Sequence, residues 1–185
     1  MKRILAILLV LCMLPGCASQ GSELDRAMAL RTKLLSKPVS FDARITADYG
    51  DSVHMFSLSC QADTQGNVTF TVTEPQSIRD ITGTVSSGTG KLTFDDKTIA
   101  FDLLADGQLS PISAPWIFLK ALRSGYMTSC GKEGEYLRLA VDDSYADDAL
   151  HLDIWLGDGD VPLRAEILWQ GSRVLSIDVG NFTFV

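Results

Sequence analysis

The sequence is poor in the residues from which hydrolytic and metal-dependent active sites are built. It contains only two histidines, His54 and His151, and histidine is the side chain that titrates nearest neutral pH. Neither has a second histidine four residues away, and neither lies near a serine or cysteine in a recognisable nucleophile motif. We interpret both as packed or surface histidines. The sequence therefore predicts no catalytic residue and no cofactor, and the protein is not expected to be an enzyme.

Calcium loops are also missing. Aspartates do cluster at Asp142-Asp143, at Asp147-Asp148 and at Asp158-Gly159-Asp160. These groups lack the glycine and glutamate positions of a calcium-binding loop. Aspartate is common in turns because its side chain bonds to nearby backbone N–H groups. Turn formation is the simpler explanation, and no metal site is predicted.

The chain has no run of basic residues and no second long apolar segment. Its 16 lysines and arginines are outnumbered by 23 aspartates and glutamates, which gives a net charge of −7. An acidic chain is repelled by nucleic acid and by anionic lipid headgroups. The charge therefore argues against nucleic acid as a partner and against electrostatic adhesion to a surface of anionic lipid headgroups.

The N-terminus carries the clearest motif. Lys2 and Arg3 precede an apolar run at 4–14, which has the length of a secretory signal and is too short to span a bilayer. The run ends in Leu14-Pro15-Gly16-Cys17, which resembles the lipobox of bacterial lipoproteins. This resemblance implies that the Cys17 thiol carries diacylglycerol and that the chain is cut before it. The alternative is an unmodified cysteine in an ordinary signal peptide.

On this interpretation the chain has three parts. Residues 1–16 are the signal peptide, residues 17–22 are a lipidated polar tether, and residues 23–185 form a single domain. The predicted location is the extracytoplasmic side of the cell membrane, where the lipid anchor makes the membrane itself a partner. Two or more buried acyl chains are needed for stable anchoring.

Two of the four cysteines remain for the domain. Cys12 leaves with the signal and Cys17 is the anchor, so Cys60 and Cys130 form an even pair in an exported protein. Such pairs are usually oxidised outside the cytoplasm. We predict a Cys60–Cys130 disulfide; the alternative is two buried free thiols.

Hydrophobic periodicity predicts one helix followed mainly by strands. A helix over 23–36 has Leu24, Ala27, Met28, Leu34 and Leu35 on one face and stops at Lys37-Pro38. From Val39 the period changes to two, and strands carry the residue sets 41–47, 54–60 and 68–72. In a later strand Leu163, Ala165, Ile167 and Trp169 alternate with Arg164, Glu166, Leu168 and Gln170. Further strands are predicted near 78–86, 91–95, 98–104, 126–130, 135–142, 149–157, 162–170 and 173–184.

One apolar helix interrupts the strands. Ser113 is its predicted N-cap, Pro115 lies in its first turn and Gly125 follows its end. It is hydrophobic on nearly all sides and must be buried on most of them. The fold class is therefore α+β. About ten antiparallel strands curl into an unclosed half-barrel, with the N-terminal helix and the inserted helix on its concave side.

This order of elements resembles the LolA/LolB-type lipoprotein-carrier fold. The segments that carry the resemblance are FDARITADYGDSVHMFSLSCQADTQGNVTFTVTEPQSIRDITGTV, residues 41–85, and LSPISAPWIFLKALRSGY, residues 109–126. They are similar to Firmicute lipoproteins of this fold, including the spore-germination lipoproteins of clostridia. The resemblance implies an unclosed barrel whose hydrophobic cavity accommodates acyl chains. In the germination branch it implies partnership with a cell-wall (spore cortex) amidase.

Two functional hypotheses follow. In the first, the half-barrel binds or shields acyl chains of lipids or lipoproteins; the alternative for the same side chains is that they fill one another's space. In the second, the protein docks an envelope partner through apolar residues on the outer face of the sheet, and Trp155 and Leu168 are the candidates. The candidate acyl-binding residues are Phe41, Phe56, Phe70, Phe94, Phe101, Trp116, Phe118, Leu119 and Leu122.

Overall fold

The computed structural model describes residues 18–87, 89–94, 97–102, 104–105 and 108–185. Side chains are described from residue 23 onward, except at 94, 102, 104, 105 and 108. The predicted lipidation site, Cys17, and the side chain of Phe94 lie outside this part of the chain.

Helix α1 (Ala18–Ser36) starts earlier than the sequence predicts. Residues 18–22, which were expected to form a polar tether, are helical. The buried stripe also differs from the prediction: Ala27, Leu30 and Leu34 face the core, whereas Leu24, Met28 and Leu35 are exposed. The helix is therefore turned relative to the expected face, and three apolar side chains point outward.

Eleven antiparallel strands form one sheet, against about ten predicted. Six consecutive strands make one meander: β1 (Val39–Asp48), β2 (Val53–Ala62), β3 (Val68–Glu74), β4 (Thr82–Ser86), β5 (Thr89–Phe94) and β6 (Lys97–Asp102). Five more make a second: β9 (Tyr126–Glu133), β10 (Tyr136–Asp142), β11 (His151–Leu156), β12 (Pro162–Trp169) and β13 (Ser172–Phe184). Two-residue strands β7 (Leu104–Ala105) and β8 (Gln108–Leu109) pair separately.

Pairing of β1 with β13 joins the two meanders at the centre of the sheet. In the order of strands, β6 and β9 are the outermost, and they are not paired with each other in the described part of the chain. The sheet is thus antiparallel and unclosed. Helix α2 (Ala114–Ser124) connects the two meanders, and its side chains belong to the same hydrophobic core as the inward side chains of the strands.

Two phenylalanines of the first meander lie over glycines on neighbouring strands. Phe70 on β3 pairs with Gly83 on β4, and a Cβ on Gly83 would lie 2.4 Å from the ring. Phe101 on β6 pairs with Gly90 on β5, where the corresponding distance is 1.9 Å. The absence of a side chain at these two positions leaves room for the rings to lie flat on the sheet, so the rings replace the packing that glycine lacks.

Arg31 of helix α1 caps the C-terminal end of α2. Its Nε donates to the carbonyl of Leu122 at 2.8 Å, and its Nη2 donates to the carbonyls of Gly125 at 2.8 Å and Ala121 at 3.5 Å. The last carbonyls of a helix have no partner within the helix and carry partial negative charge. The guanidinium supplies both donors and charge, and it ties the two helices together. Burial lowers the pKa of Arg31 from its usual value.

Candidate functional site

Most of the candidate acyl-binding residues converge around α2. Phe41, Phe70, Trp116, Phe118, Leu119 and Leu122 are all buried in one hydrophobic cluster, and Phe101 packs against it. The rings of Phe41 and Phe118 meet edge to face, with centroids 6.2 Å apart. Phe56 is half-buried and stands apart from this cluster. The structure thus brings together seven of the eight candidates whose side chains it describes.

These side chains fill one another's space. Nine of the eleven residues of α2 are buried, as an all-round apolar helix requires. Even Trp116, the most accessible of the clustered residues on α2, is only 9% exposed. A ligand that occupied this region would therefore have to take over contacts that α2 now makes.

The apolar cluster borders a surface cleft beside α2. The cleft has a volume of about 290 Å³ and is lined by Trp116 and Leu119 of α2, by Leu35 of α1 and by Thr64 and Gln65 of the β2–β3 turn. Lys120 and Arg123 of α2 also contribute to its wall. Apolar and cationic side chains thus meet at the rim of the core.

Arg123 is the charged residue that sequence reasoning missed. Its side chain is on the apolar helix and only 7% exposed. The Nη2 atom donates to the main-chain carbonyl of Asp63, whereas Nε and Nη1 are buried without a hydrogen-bond partner in the part of the chain that the structure describes. Burial lowers the pKa of Arg123, and the nearby charge of Asp63 partly opposes that effect. A basic residue in the last turn of a helix is usually explained by the helix dipole, so nothing in the sequence singles out Arg123.

The carboxylate of Asp63 is used by its own turn. It accepts hydrogen bonds from the backbone N–H groups of Gln65 and Asn67, each at 2.9 Å, and from Asn67 Nδ2 at 2.7 Å. Burial alone would raise the pKa of Asp63, but these bonds, together with the Gly66 backbone, outweigh it and lower the pKa. The turn is therefore a preformed structure that presents its Asp63 carbonyl to Arg123.

The predicted disulfide is wrong, because Cys60 and Cys130 are free cysteines. Cys60 is on β2 and Cys130 on β9, and five strands lie between them in the sheet. The two strands are therefore not neighbours in the sheet, whereas a disulfide requires Cα atoms within about 7 Å of each other. Cys130 instead lies near Glu23 and Arg26 of α1, and the charges of both side chains affect its pKa.

The two thiols are expected to differ in reactivity. Cys60 is fully buried and burial raises the pKa of its thiol, with a further contribution from Asp42. Cys130 is half-buried, and burial followed by Glu23 raises its pKa, while Arg26 opposes this. Since the thiolate is the nucleophile, iodoacetamide should modify Cys130 alone in the folded domain, faster as the pH rises. Mass spectrometry after unfolding without reductant should show both modified. No adduct under either condition would restore the disulfide.

Trp155 lies on the outer face of the sheet between two arginines. Its Nε1 donates to Glu133 at 3.0 Å, and the guanidinium carbons of Arg138 and Arg164 lie 5.9 Å and 5.6 Å from the ring. The indole also lines a cleft of about 600 Å³ together with Tyr136 and Leu163. An aromatic ring in such a setting offers apolar contact with charged groups at its rim, which suits protein recognition.

Leu168, the other candidate for a partner surface, does not line this cleft. It is half-buried and pairs with His151 on β11, four residues along that strand from Trp155. The separation is about 13 Å at the rise of a strand. The two residues therefore share a face of the sheet without forming one continuous patch.

Both histidines and three of the clustered aspartates have local partners. His54 is exposed beside the ring of Tyr49, and His151 Nδ1 is 2.7 Å from Asp142 Oδ1. Asp143 accepts from the backbone of Leu150 and pairs with Lys120, and Asp160 pairs with Arg26. Within the described residues no three potential ligands are grouped to hold a metal ion. Neither helix in that part of the chain has the length and apolar character needed to cross a membrane.

Comparison of the chain with known proteins finds similarity to solved structures alone. No family model matches it, and no curated protein does. A protein of the DUF1329 family from Desulfovibrio piger overlays with a TM-score of 0.50 at 10% identity, covering 89% of this chain and 92% of that one. At this identity the likeness concerns the fold alone.

Two further structures overlay less closely. An uncharacterized conserved protein from Thermus thermophilus has a TM-score of 0.49 at 12% identity, covering 88% of this chain and 87% of that one. A LolA superfamily protein from Nitrosomonas europaea has a TM-score of 0.45 at 10% identity, covering 86% and 93%. Likenesses this distant establish no shared activity.

Proposed function

We propose that this protein is a membrane-anchored envelope lipoprotein that binds or shields acyl chains between its unclosed sheet and α2, without catalysing a reaction. The observation that carries the proposal is the convergence of the apolar candidates on one helix, at a place where the cluster opens to the surface through the cleft at Trp116 and Leu119. An acyl chain needs this combination of a continuous apolar surface and an entry point.

Binding of a long chain would be an exchange of contacts. Each buried methylene contributes about 0.8 kcal/mol, and a long chain contributes about 10 kcal/mol in total. That is enough to compete with the bilayer and to compensate for contacts that α2 gives up. Helix α2 then acts as a plug: it fills the site when no chain is bound and moves aside when one enters.

The predicted anchor on Cys17 places this site beside a membrane, where acyl chains are abundant. We expect cells fed with labelled palmitate to label the wild-type protein and not a Cys17→Ala variant. The unlipidated Cys17→Ala protein should then take up a fluorescent fatty acid with saturation at one per chain, and palmitate should displace it. An unlabelled wild type would contradict the anchor. Uptake that never saturates, or none at all, would contradict acyl binding and leave α2 as ordinary core.

A second candidate function, docking of an envelope protein such as a cell-wall (spore cortex) amidase, is supported by the cleft at Trp155. Aromatic residues and arginines dominate the energetics of protein interfaces, and Trp155 is flanked by Arg138 and Arg164. This surface is on the outer face of the sheet, so it can act whether or not an acyl chain occupies the inner face.

A double variant distinguishes the two functions. Trp155→Ala with Leu168→Ser should weaken capture of the amidase by about thirtyfold or more, since a buried interface tryptophan typically contributes at least 2 kcal/mol, and should leave fatty-acid uptake unchanged. Ile99→Ser is the matched control, because Ile99 is an exposed apolar residue on the edge strand β6. Equal loss in the control, or loss of uptake in the double variant, would argue against a docking role for Trp155.

A further inference from the structure

We infer that Arg123 binds the anionic headgroup, a carboxylate or a phosphate, of the amphiphile whose chain enters beside α2. This inference rests on the proposed acyl-binding function and gives its ligand a charge. The site is the cleft at the C-terminal half of α2, between Trp116 and Leu119 on one side and the β2–β3 turn on the other.

The first reason is that the guanidinium has unused hydrogen-bond donors. Among the described residues only Nη2 has an acceptor, the Asp63 carbonyl, while Nε and Nη1 are buried without one. A buried charge with unmade hydrogen bonds is costly, and native structures rarely keep one without a use. Two adjacent N–H donors of a guanidinium match the two oxygens of a carboxylate or phosphate. Nη1 and the second N–H of Nη2 form such a pair, so an oxyanion bound there would satisfy Nη1.

The second reason is that no neighbouring carboxylate among the described residues pairs with the Arg123 guanidinium. The Asp63 carboxylate already accepts three hydrogen bonds within its turn. Lys120, one turn earlier on α2, pairs with Asp143 at 3.3 Å, whereas Arg123 has no ion pair among the described residues. Among the residues that the structure describes, no aspartate or glutamate lines the cleft. An incoming anion therefore meets positive charge, and the nearby Asp63 carboxylate is already held by hydrogen bonds within its own turn.

The third reason is the shape of the cleft. A volume of about 290 Å³ is at the lower end for small-molecule sites, so it suits a headgroup and the first methylenes rather than a whole lipid. Trp116 and Leu119 continue from the cleft into the apolar cluster, which gives the chain its direction. The turn at Gly66 covers Nη1, since a Cβ on Gly66 would lie 3.5 Å from that atom. The anion reaches the guanidinium when this turn moves outward.

The test uses the full lipidated chain in phosphatidylcholine nanodiscs and four water-soluble probes: hexyl phosphate, hexanoate, hexanol and inorganic phosphate. Binding is followed by tryptophan fluorescence, because Trp116 lines the cleft, and by the shift in Tm. We expect hexyl phosphate and hexanoate to bind at least tenfold more tightly than hexanol. Arg123→Met should remove that difference and leave hexanol binding unchanged. Arg173→Met, which alters an exposed arginine paired with Glu166 on the sheet, should change nothing.

Arg123→Lys is the second variant. It keeps the charge and loses the paired donors, so it should retain part of the preference for anions even if the methionine variant folds poorly. Equal affinity for hexanol and hexyl phosphate, unaffected by Arg123→Met, would overturn the headgroup site and leave acyl uptake standing. If inorganic phosphate binds as tightly as hexyl phosphate, the alkyl chain contributes nothing to binding. This result would contradict an amphiphilic ligand and the proposed acyl-binding function, and it would identify a simple anion site.

Discussion

Replacing Phe118 with alanine is expected to lower the free energy of unfolding by about 3–5 kcal/mol, the usual cost of removing a buried aromatic ring. Phe118 is fully buried at the middle of α2 and meets the edge of Phe41 on the central strand β1. The substitution leaves a cavity at the contact that seats the plug helix on the sheet. Urea unfolding, followed by circular dichroism, measures the loss.

Phe184→Ala is the matched control, because Phe184 is half-buried at the end of β13. It should cost less than half as much as Phe118→Ala. If α2 is a plug, the Phe118→Ala protein should also recover stability on addition of a fatty acid, since the chain fills the cavity and binds only the folded state. A loss below about 1 kcal/mol would mean that α2 is held mainly by other contacts.

The second large effect concerns the clamp between the helices. Arg31→Met is expected to cost about 2–3 kcal/mol, because it removes charge-assisted hydrogen bonds to the carbonyls of Leu122 and Gly125 and leaves those carbonyls unpaired. The expected value is below the sum for two such bonds, since Arg31 is only partly buried. Helix α2 should also open more readily as a unit.

Hydrogen exchange over residues 114–124 measures that opening directly. Faster exchange in this segment, with little change in the central strands β1 and β13, is the expected pattern for Arg31→Met. Arg31→Lys keeps the charge at the end of the helix without the paired donors, and its effect should be intermediate. Uniform acceleration over the whole domain would mean that Arg31 supports global stability and does not control α2.

The strands and the inserted helix could be predicted because their signals are local. Alternation over 41–47 and the apolar stretch after Ser113 each determine what one segment buries. The prediction that Leu163 lies on the apolar side of its strand was wrong, because alternation alone does not reveal a bulge. A shift of register between Trp155 and Leu156 on β11 breaks the pattern on β12, and Leu163 is 39% exposed instead of buried. Bulges depend on the neighbouring strand.

The remaining differences come from contacts between distant segments. The count of cysteines suggested a bridge, but the pairing of β1 with β13 determines how far apart β2 and β9 lie. Arg123 is not singled out by its position in the sequence, because its contact with the turn at Asp63 forms only in the folded domain. Among the candidate acyl-binding residues, the sequence indicated which side of each strand is apolar. It did not indicate that Phe101 would lie on Gly90 and only at the edge of the cluster.

The early start of α1 changes how the domain would be carried by a lipid on Cys17. Nineteen helical residues form a rod of about 28 Å, and Leu35 near its far end lines the Arg123 cleft. The exposed Leu24, Met28 and Leu35 lie within about 40° of one another around the helix. With the rod upright, the cleft stands nearly a bilayer's thickness away from the anchor. With the rod lying on its apolar side, the cleft meets the lipid headgroups. The tilt of α1 relative to the membrane, and not the length of a flexible tether, would then determine when an acyl chain can pass between membrane and protein.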